Sequence, residues 1–295
     1  MRRIGILETA AADPHRTALW DIFKRRLHEL GHGEGLAFEF RWADGRTERL
    51  AGAAAELVDL KADVLVTAGT PAAAAASRAT ATIPIVMATG VGLGTQLTEG
   101  AAQRQNNVTG ISDLPPGVSI KRLELLHQAV PTAKTLAVLA DRGNPSSPLA
   151  LRETQAAAPS LGLTIKDYWI ETAEQFGAAL TAMNNDGIAG FVVAPGALFF
   201  ARRAELAALA ISHRLASITA RREYAEAGCL MAYGAPIRDN YRQAADYVAQ
   251  ILGGAEPADL PIGQPAEFEF VVNTKTAATI GGVLSPSLLA GAETI

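Results

Sequence analysis

Short apolar runs alternate along the chain with longer stretches in which apolar residues recur at helical spacing. In the first long stretch, Leu19, Phe23 and Leu27 follow one another every four positions, which places them on one face of a helix. The apolar runs predict strands at residues 3–7, 37–42, 64–67, 83–88 and 108–111, and the longer stretches predict helices at residues 16–30, 47–60 and 71–80. This alternation is typical of an α/β chain.

The second half of the chain repeats the alternation after a break. Asp113-Leu114-Pro115-Pro116-Gly117 interrupts the pattern, and Tyr233-Gly234-Ala235-Pro236 interrupts it again. Between and after these breaks, strands are predicted at residues 135–139, 164–169, 190–193, 216–219, 230–232 and 268–272, and helices at residues 118–129, 148–161, 173–183, 202–213 and 240–252. Consecutive βαβ units of this length form parallel sheets with helices on both faces.

The two series predict an α/β fold with two Rossmann-like lobes. A chain of 295 residues, of which 49% are hydrophobic, is long enough to bury two modest cores. We expect lobe I to comprise residues 1–112 and 237–264, and lobe II to comprise residues 113–236 and 265–295, with crossings near residues 113–117, 233–236 and 262–267. The expected ligand site is the cleft between the lobes, and hinge closure around a ligand follows from the few crossing residues.

The amino-acid composition argues against several classes of partner and cofactor. A net charge of −4 argues against a nucleic-acid partner, and no apolar window is long enough to span a membrane directly. The single cysteine, Cys229, excludes an intramolecular disulfide and a cysteine-based metal site, and no cofactor is expected. Met1-Arg2-Arg3 leads straight into the first strand, so either the protein is cytoplasmic or its leader is absent from this sequence.

The most informative stretch is the corner between the third strand and the helix after it. Gly69 allows a sharp turn, Thr70 is expected at the helix N-cap, and Pro71 at the first helical position. A helix N-terminus at the carboxyl end of a parallel strand favours an anion. For lobe I we therefore predict ligand contacts that follow its first, third and fourth strands, namely Thr9, Ala10, Gly69, Thr70, Thr89 and Gly90.

Lobe II is expected to supply the side chains that discriminate between ligands. Its candidates follow the strands of the second series: Asn144, Ser146, Pro195, Gly196, Phe199, Arg221, Glu223 and Tyr233. Phe199 could stack on a ring, and Arg221 or Glu223 could pair with a charged end of the ligand. The alternative for the last group is that Arg222 and Glu223 form a surface ion pair of little energetic value.

Two segments resemble functional motifs but do not meet the structural requirements of those motifs. His28-Glu29-Leu30-Gly31-His32 has the letters of a zinc-protease motif, which requires both histidines on one helical face. We expect the helix to end at Gly31, so His32 lies beyond it and no metal site is predicted. Gly90-Val91-Gly92-Leu93-Gly94 does not have the spacing of a dinucleotide-binding loop, and we expect a flexible loop there.

Segments along nearly the whole chain resemble one known family. They are, in order, Phe40-Arg41-Trp42-Ala43 with Gly45-Arg46, Ala68-Gly69-Thr70-Pro71-Ala72-Ala73, Thr82-Ile83-Pro84-Ile85-Val86, Asn107-Val108-Thr109-Gly110, Lys121-Arg122-Leu123-Glu124-Leu125-Leu126, Arg222-Glu223-Tyr224 through Tyr233-Gly234, Ala244-Ala245-Asp246-Tyr247-Val248, Pro257-Ala258-Asp259-Leu260-Pro261 and Pro286-Ser287-Leu288-Leu289-Ala290. In this order they resemble the ABC-transporter substrate-binding proteins of the tryptophan/tyrosine-transport type, which have a type I periplasmic-binding fold.

The chain departs from that family near the predicted cleft. Val91-Gly92-Leu93 stands where members usually have Asp-Pro-Val, Thr219 where they have an aromatic residue, and Cys229 where they have glycine. These differences bear on the identity of the ligand more than on the fold.

The resemblance implies an extracytoplasmic solute-binding protein of an ABC importer with no catalytic activity. It implies an amino acid or a small aromatic or carboxylated ligand, a membrane permease as partner, a monomer, and a periplasmic or extracellular location with the leader absent from this sequence. The alternative is a cytoplasmic small-molecule sensor, or a cofactor-free racemase or isomerase on a similar scaffold. A cofactor-free racemase usually needs two cysteines, whereas this chain has one.

Overall fold

The computed structural model describes residues 1–91, 107–115 and 117–295. Part of the predicted glycine-rich loop at residues 90–94 therefore lies outside the described residues. Gly92 and Leu93, at one departure from the family pattern, and Pro116, in the first predicted break, also lie outside them.

The elements alternate along the chain. The strands are β1 (Arg2–Glu8), β2 (Leu36–Trp42), β3 (Val64–Ala68), β4 (Ile85–Thr89), β5 (Val108–Gly110), β6 (Thr135–Asp141), β7 (Thr164–Ile170), β8 (Gly190–Val193), β9 (Ala216–Thr219), β10 (Met231–Gly234), β11 (Glu269–Val272) and β12 (Glu293–Thr294). The α-helices are α1 (Pro14–Glu29), α2 (Leu50–Asp59), α3 (Thr70–Ala79), α4 (Val118–Ala129), α5 (Ser147–Ala157), α6 (Phe176–Asn185), α7 (Ala197–Ala201), α8 (Arg203–Ser212), α9 (Arg222–Glu226), α10 (Ile237–Leu252), α11 (Thr274–Ile280) and α12 (Pro286–Leu289). Short 3-10 turns are Thr47–Arg49, Ala158–Leu161, Ala173–Gln175 and Pro257–Asp259.

The chain divides into two compact units, each built from separate stretches of sequence. Unit 1 contains Met1–Pro115 and Ile237–Pro265, and unit 2 contains Pro116–Pro236 and Ala266–Ile295. The chain therefore crosses between the units three times, and α10 belongs to unit 1 although it follows eleven described helices and strands of unit 2 in the sequence.

Unit 1 is a five-stranded sheet in the order β2-β1-β3-β4-β5, with every pair parallel. Successive residues of a strand point to opposite faces. Ile4 and Ile6 lie on one face in a buried cluster with side chains of α1 and α10, whereas Leu7 lies on the other face with side chains of α2 and α3. Both faces of the sheet are thus covered, as parallel strands require.

Unit 2 is a seven-stranded sheet in the order β12-β11-β10-β9-β8-β6-β7. The expectation of parallel sheets holds for most pairs, but β11 runs antiparallel to β10. The chain reaches β11 directly from unit 1 rather than through a helix that crosses the sheet of unit 2, so the right-handed βαβ geometry does not constrain its direction.

The differences from the predicted elements lie mainly near the end of the chain. The predicted helix at residues 202–213 is α8, preceded by the separate short helix α7, and α9, α11, α12 and β12 were not predicted. The signals for α11 are present in the sequence, because Asn273 caps its first turn with a side-chain hydrogen bond and Gly281 ends it at a φ of +78°.

Gly110→Ala should destabilise unit 1. Gly110 has a φ of +120°, and a Cβ there would lie 2.3 Å from the Met87 carbonyl oxygen in the neighbouring strand. We expect a loss of about 1–3 kcal/mol or more in the free energy of unfolding, measured by urea denaturation.

Gly52→Ala is the control, because a Cβ at Gly52 in α2 meets no atom within 4 Å. It should leave stability unchanged or raise it by roughly 0.5–1 kcal/mol, since alanine is the better helix former. Equal urea midpoints for the two variants would contradict the close packing of Gly110 on β4.

Candidate functional site

The carboxyl ends of β1, β3 and β4 meet at one edge of unit 1, and they bring most of its predicted contacts together. The Gly69 amide donates to both the carbonyl oxygen and the Oγ1 of Thr89, each at 3.0 Å. The Thr9 hydroxyl donates to the Ala68 carbonyl oxygen at 2.9 Å. Three loops that are distant in sequence are therefore joined by hydrogen bonds at this edge.

Two glycines allow these loops to approach each other. Gly69 has a φ of +95°, and a Cβ there would lie 2.7 Å from the Thr9 Oγ1. Gly90 has a φ of +145°, and a Cβ there would lie 3.3 Å from the Thr70 backbone nitrogen. Side chains at either position would separate the strand ends.

The predicted role of Thr70 as N-cap is wrong. Gly69 is the N-cap of α3 and Thr70 is its first residue. The Thr70 Oγ1 instead accepts a hydrogen bond from the Val91 amide at 2.9 Å, which ties the loop after β4 to the start of α3. Both the Thr70 and the Thr89 hydroxyls thus act as acceptors, and within the described residues neither hydroxyl proton has an acceptor.

A buried ionic network lies directly behind Thr9 and Ala10 and was not predicted. Glu8 is 1% exposed, and its carboxylate accepts hydrogen bonds from the Ala10 amide and the Trp20 Nε1, both at 3.2 Å. The Tyr241 hydroxyl donates to the same carboxylate at 3.4 Å, and the Arg16 Nη1 lies 3.9 Å from it. Burial acts to lower the pKa of Arg16, but Glu8 and Tyr241 outweigh it and raise that pKa above its usual range.

The sequence signal for this network is an acidic residue that ends an apolar strand. A buried carboxylate requires a partner, and Arg16 follows on the first turn of α1. Tyr241 lies far away in the sequence and reaches the network only because α10 packs against α1.

In unit 2, three predicted contacts, Asn144, Ser146 and Pro195, form one hydrogen-bonded group at the ends of β6 and β8, and Gly196 lies beside it. The Asn144 Nδ2 donates to the Pro195 carbonyl oxygen at 2.6 Å. The Asn144 Oδ1 accepts from the amide of Ser146 at 3.0 Å and from its hydroxyl at 2.8 Å. Gly196 follows at the N-cap of α7, where a Cβ would lie 3.6 Å from the Asn144 Nδ2.

Asp141, the last residue of β6, lies beside this group and was not predicted. It is 8% exposed, and its Oδ1 accepts a hydrogen bond from the Gly143 amide at 2.8 Å. Burial raises the pKa of Asp141, and the Gly143 amide only partly opposes that shift. The sequence signal was the same as for Glu8, a carboxylate at the end of an apolar strand.

Phe199 is not a candidate for stacking on a ligand. Its ring has no exposed surface, and it stacks on Phe176 at 5.9 Å between centroids within the core of unit 2. Phe199 belongs to the same buried cluster as Phe191 and Val193 of β8, so its ring contributes to packing.

The remaining predicted contacts lie on α9 and β10. Arg221 is the N-cap residue of α9 and its guanidinium carbon lies 5.7 Å from the centroid of the Phe200 ring, while Glu223 lies in the first turn. Tyr233 is half-buried and stacks on the exposed ring of Phe268, with 5.6 Å between centroids.

Arg222, which the alternative interpretation paired with Glu223 at the surface, has partners in two strands. It pairs with Glu269, at 3.0 Å, and with Glu293, at 2.9 Å from its Nη1. These contacts join α9 to β11 and β12, which only the folded sheet brings together, and both acidic groups raise the pKa of Arg222, most of all Glu293.

The expected position of Cys229 at the edge of a cleft is also wrong, because Cys229 lies in the core of unit 2. Burial raises the pKa of its thiol to about 12, against the opposing effect of a hydrogen bond with Ser217. Thr219 is also buried, and its hydroxyl donates to the Met231 carbonyl oxygen at 3.1 Å within the sheet.

The histidine pair of the zinc-protease motif does not share a helical face. Helix α1 ends at Glu29, slightly earlier than expected, and His32 lies beyond its C-cap Leu30. The described part of the chain contains no group of three or more His, Cys, Asp and Glu side chains placed to hold a metal ion. Among the helices of the described ranges, none has both the length and the apolar character that a membrane crossing requires.

Arg16→Met should lower the free energy of unfolding by about 3–5 kcal/mol, because it leaves the Glu8 carboxylate buried without its cation. The double variant Glu8→Gln with Arg16→Met should recover part of this loss. The control, Arg49→Met, breaks an exposed pair with Asp44 and should change stability by less than about 1 kcal/mol in the same guanidinium titration. Equal effects of the two arginine variants would contradict the burial of the network.

The Cys229 thiol should be unreactive in the folded protein at neutral pH. Burial keeps it in the protonated form, and the thiolate is the reactive species. A chromogenic disulfide reagent should label no thiol in native buffer and one per chain in denaturant. Rapid labelling of the native protein would show that Cys229 is accessible.

Comparison with known proteins places the chain in a family. Residues 6–295 match the family described as ABC transporter substrate binding protein. The tyrosine-binding protein of Clostridioides difficile strain R20291 is 23% identical over 258 residues, which span 86% of this chain and 74% of that protein.

Two solved structures share the whole fold. The structure of an ABC domain in complex with L-Trp from Streptococcus pneumonia superposes with a TM-score of 0.89, at 23% identity, over 99% of both chains. A conserved domain protein from Vibrio cholerae O1 biovar eltor gives a TM-score of 0.89, at 24% identity, over 99% of both chains. These matches confirm the predicted two-lobed α/β fold of periplasmic-binding proteins.

The members of this family are substrate-binding proteins that act outside the cytoplasm, and they are not enzymes. This excludes the racemase alternative. Because the match to the family spans residues 6–295, almost the entire length, the chain belongs to the ABC transporter substrate-binding protein family.

Proposed function

We propose that the ligand of this substrate-binding protein is an amino acid, and that the carboxyl edge of unit 1 holds its carboxylate. The observation that carries the proposal is the pair of threonine hydroxyls at this edge, Thr70 and Thr89, each already oriented by a backbone amide that donates to it. Each hydroxyl proton is then directed away from that amide and is available to an anion.

The start of α3 adds to this donor set. The first amides of a helix have no acceptor within the helix, and the helix dipole favours negative charge there. Helix α3 runs from Thr70 to Ala79, and Pro71, which has no N–H, stands in its first turn. A carboxylate at this end would accept hydrogen bonds from hydroxyls and backbone amides together.

The relatives support an amino acid in particular. The curated relative is named a tyrosine-binding protein, and the pneumococcal structure contains L-Trp. We infer that this chain takes a ligand of the same class, with L-tyrosine and L-tryptophan as the first candidates. Tyr233, half-buried and stacked on Phe268, is the candidate contact in unit 2 for an aromatic side chain.

The partner that follows from this function is the membrane permease of an ABC importer. The protein would act as a monomer in the periplasm or at the cell surface and deliver its ligand to that permease. The loops at the carboxyl edges of the two sheets then determine which ligand is delivered.

Thr70→Val should weaken amino-acid binding by about tenfold to a hundredfold, because it removes a hydrogen bond to a charged carboxylate. Thr70→Ser should retain binding, since it keeps the hydroxyl. A thermal-shift screen of L-amino acids identifies the ligand, because ligand at a hundred times its Kd stabilises the folded state by about 2.7 kcal/mol. Calorimetry of that ligand with each variant then gives the change in Kd.

Thr80→Val is the matched control. Thr80 follows the opposite end of α3, where its hydroxyl accepts from the amides of Thr82 and Ile83. This variant should lose stability while its Kd stays at the wild-type value. A Thr70→Val protein with wild-type affinity would remove Thr70 from the ligand site, and the absence of any amino-acid ligand from the screen would contradict the proposed class.

A further inference from the structure

The first strand of each unit ends in a buried carboxylate, and the two carboxylates have different surroundings. Glu8 ends β1 and has Arg16 as its cation, with Trp20 and Tyr241 as further donors. Asp141 ends β6, and its carboxylate accepts one hydrogen bond, from the Gly143 amide. Within the described residues no Lys, Arg or His side chain pairs with Asp141.

A buried carboxylate without a cation is costly to keep ionised. A cation that approaches Asp141 lowers this cost and favours the ionised form. Because no cationic side chain of the described residues pairs with Asp141, such a cation would come from outside them.

We propose that Asp141 binds the cationic group of the ligand, which in an amino acid is the α-ammonium. This inference rests on the proposed function, and it adds that the ligand must carry a positive charge as well as a carboxylate. A sugar or a simple carboxylic acid would leave the Asp141 charge without a partner.

The backbone around Asp141 fixes its carboxylate in place. The Asp141 amide donates to the Ser147 Oγ at 3.2 Å, and the Asp141 carbonyl accepts from the Asn144 amide at 3.2 Å. With the Oδ1 held by Gly143, the Oδ2 is the atom that remains for a ligand. A preorganised acceptor of this kind loses little conformational entropy when it binds.

Gly196 leaves space beside that oxygen. Its φ of −176° is extended backbone that any residue can adopt, so no strain requires glycine here. A Cβ would, however, lie 3.5 Å from the Asp141 Oδ2 and 3.1 Å from the Phe199 ring. A larger side chain at position 196 would cover the free carboxylate oxygen, and glycine keeps it accessible from the Asn144 side.

The competing explanation is that Asp141 only stabilises the turn that follows β6. An aspartate that accepts a hydrogen bond from the amide two residues later forms an Asx turn, and asparagine forms the same turn. Asp141→Asn keeps the shape and the Gly143 hydrogen bond and removes only the charge, so it separates the two roles.

The test compares four probes on the wild type and Asp141→Asn by calorimetry. L-Tyrosine and L-tryptophan carry the ammonium, whereas 3-(4-hydroxyphenyl)propanoate and indole-3-propanoate lack it. The wild type should bind the better amino acid at least about tenfold more tightly than its desamino analogue, in line with a charged hydrogen bond. Asp141→Asn should remove most of this preference, while its melting temperature without ligand stays the same or rises.

Asp167→Asn is the charge-matched control. Asp167 is exposed on the edge strand β7, and its substitution changes the net charge of unit 2 by the same amount as Asp141→Asn does. It should retain the wild-type preference for the ammonium. If Asp141→Asn loses affinity for the amino acid while its melting temperature without ligand rises, a purely structural role of Asp141 does not explain the result.

Two outcomes would overturn the inference while the proposed function stands: wild-type protein that binds an amino acid and its desamino analogue equally, or Asp141→Asn that keeps the full preference. A fall in the melting temperature of Asp141→Asn with unchanged affinities would assign Asp141 to the turn alone. A wild type that binds neither amino acid overturns the proposed function, and this inference with it.

Discussion

Each unit depends on parallel strands whose two faces are both buried by helices. Such strands are apolar along their length, and Ile4, Ile6 and Leu7 of β1 show the pattern on both faces of the unit 1 sheet. Among the described strands, the buried charged side chains, Glu8 and Asp141, both lie at strand ends. Because all strands of the unit 1 sheet run the same way, the loops at their carboxyl ends lie along one edge, which is where open α/β sheets generally bind their ligands.

The same burial makes ionised side chains at the strand ends expensive, and the two units meet this cost in different ways. In unit 1, Glu8 is neutralised within the fold, so its role is to hold the loop of Thr9 and Ala10 through the Ala10 amide. In unit 2, burial raises the pKa of Asp141, and no Lys, Arg or His side chain of the described residues pairs with it. A binding protein gains selectivity from such an arrangement, because a group that is unfavourable in the empty protein becomes favourable with the right ligand.

The return of the chain to unit 1 has a direct consequence for the site. Helix α10 supplies Tyr241, which packs edge-on against Trp20 and donates to the Glu8 carboxylate. The loop after β1 is thus supported by residues that the sequence separates by more than two hundred positions. The support of this loop depends on the correct docking of α10, which couples the fold of the whole of unit 1 to its carboxyl edge.

The sequence by itself determined the alternation of strands and helices, the existence of two series and most of the strand-end loops, because these follow from local spacing and turn residues. Helix α4 and strands β8 and β9 were predicted with the bounds that the structure has. The resemblance to the family followed from segments in order along the chain. What local pattern could not decide was the partner of each side chain.

Only the tertiary structure decided which polar groups meet. Thr70 bonds to the Val91 amide instead of capping α3, Phe199 stacks in the core, and Arg222 pairs with Glu269 across the sheet. Glu8 and Asp141 look alike in the sequence as acidic ends of apolar strands. Among the residues that the structure describes, the first has a cation as partner and the second has none. The spacing of apolar residues sets which faces are buried, but the charge balance of a buried group depends on elements brought together by folding.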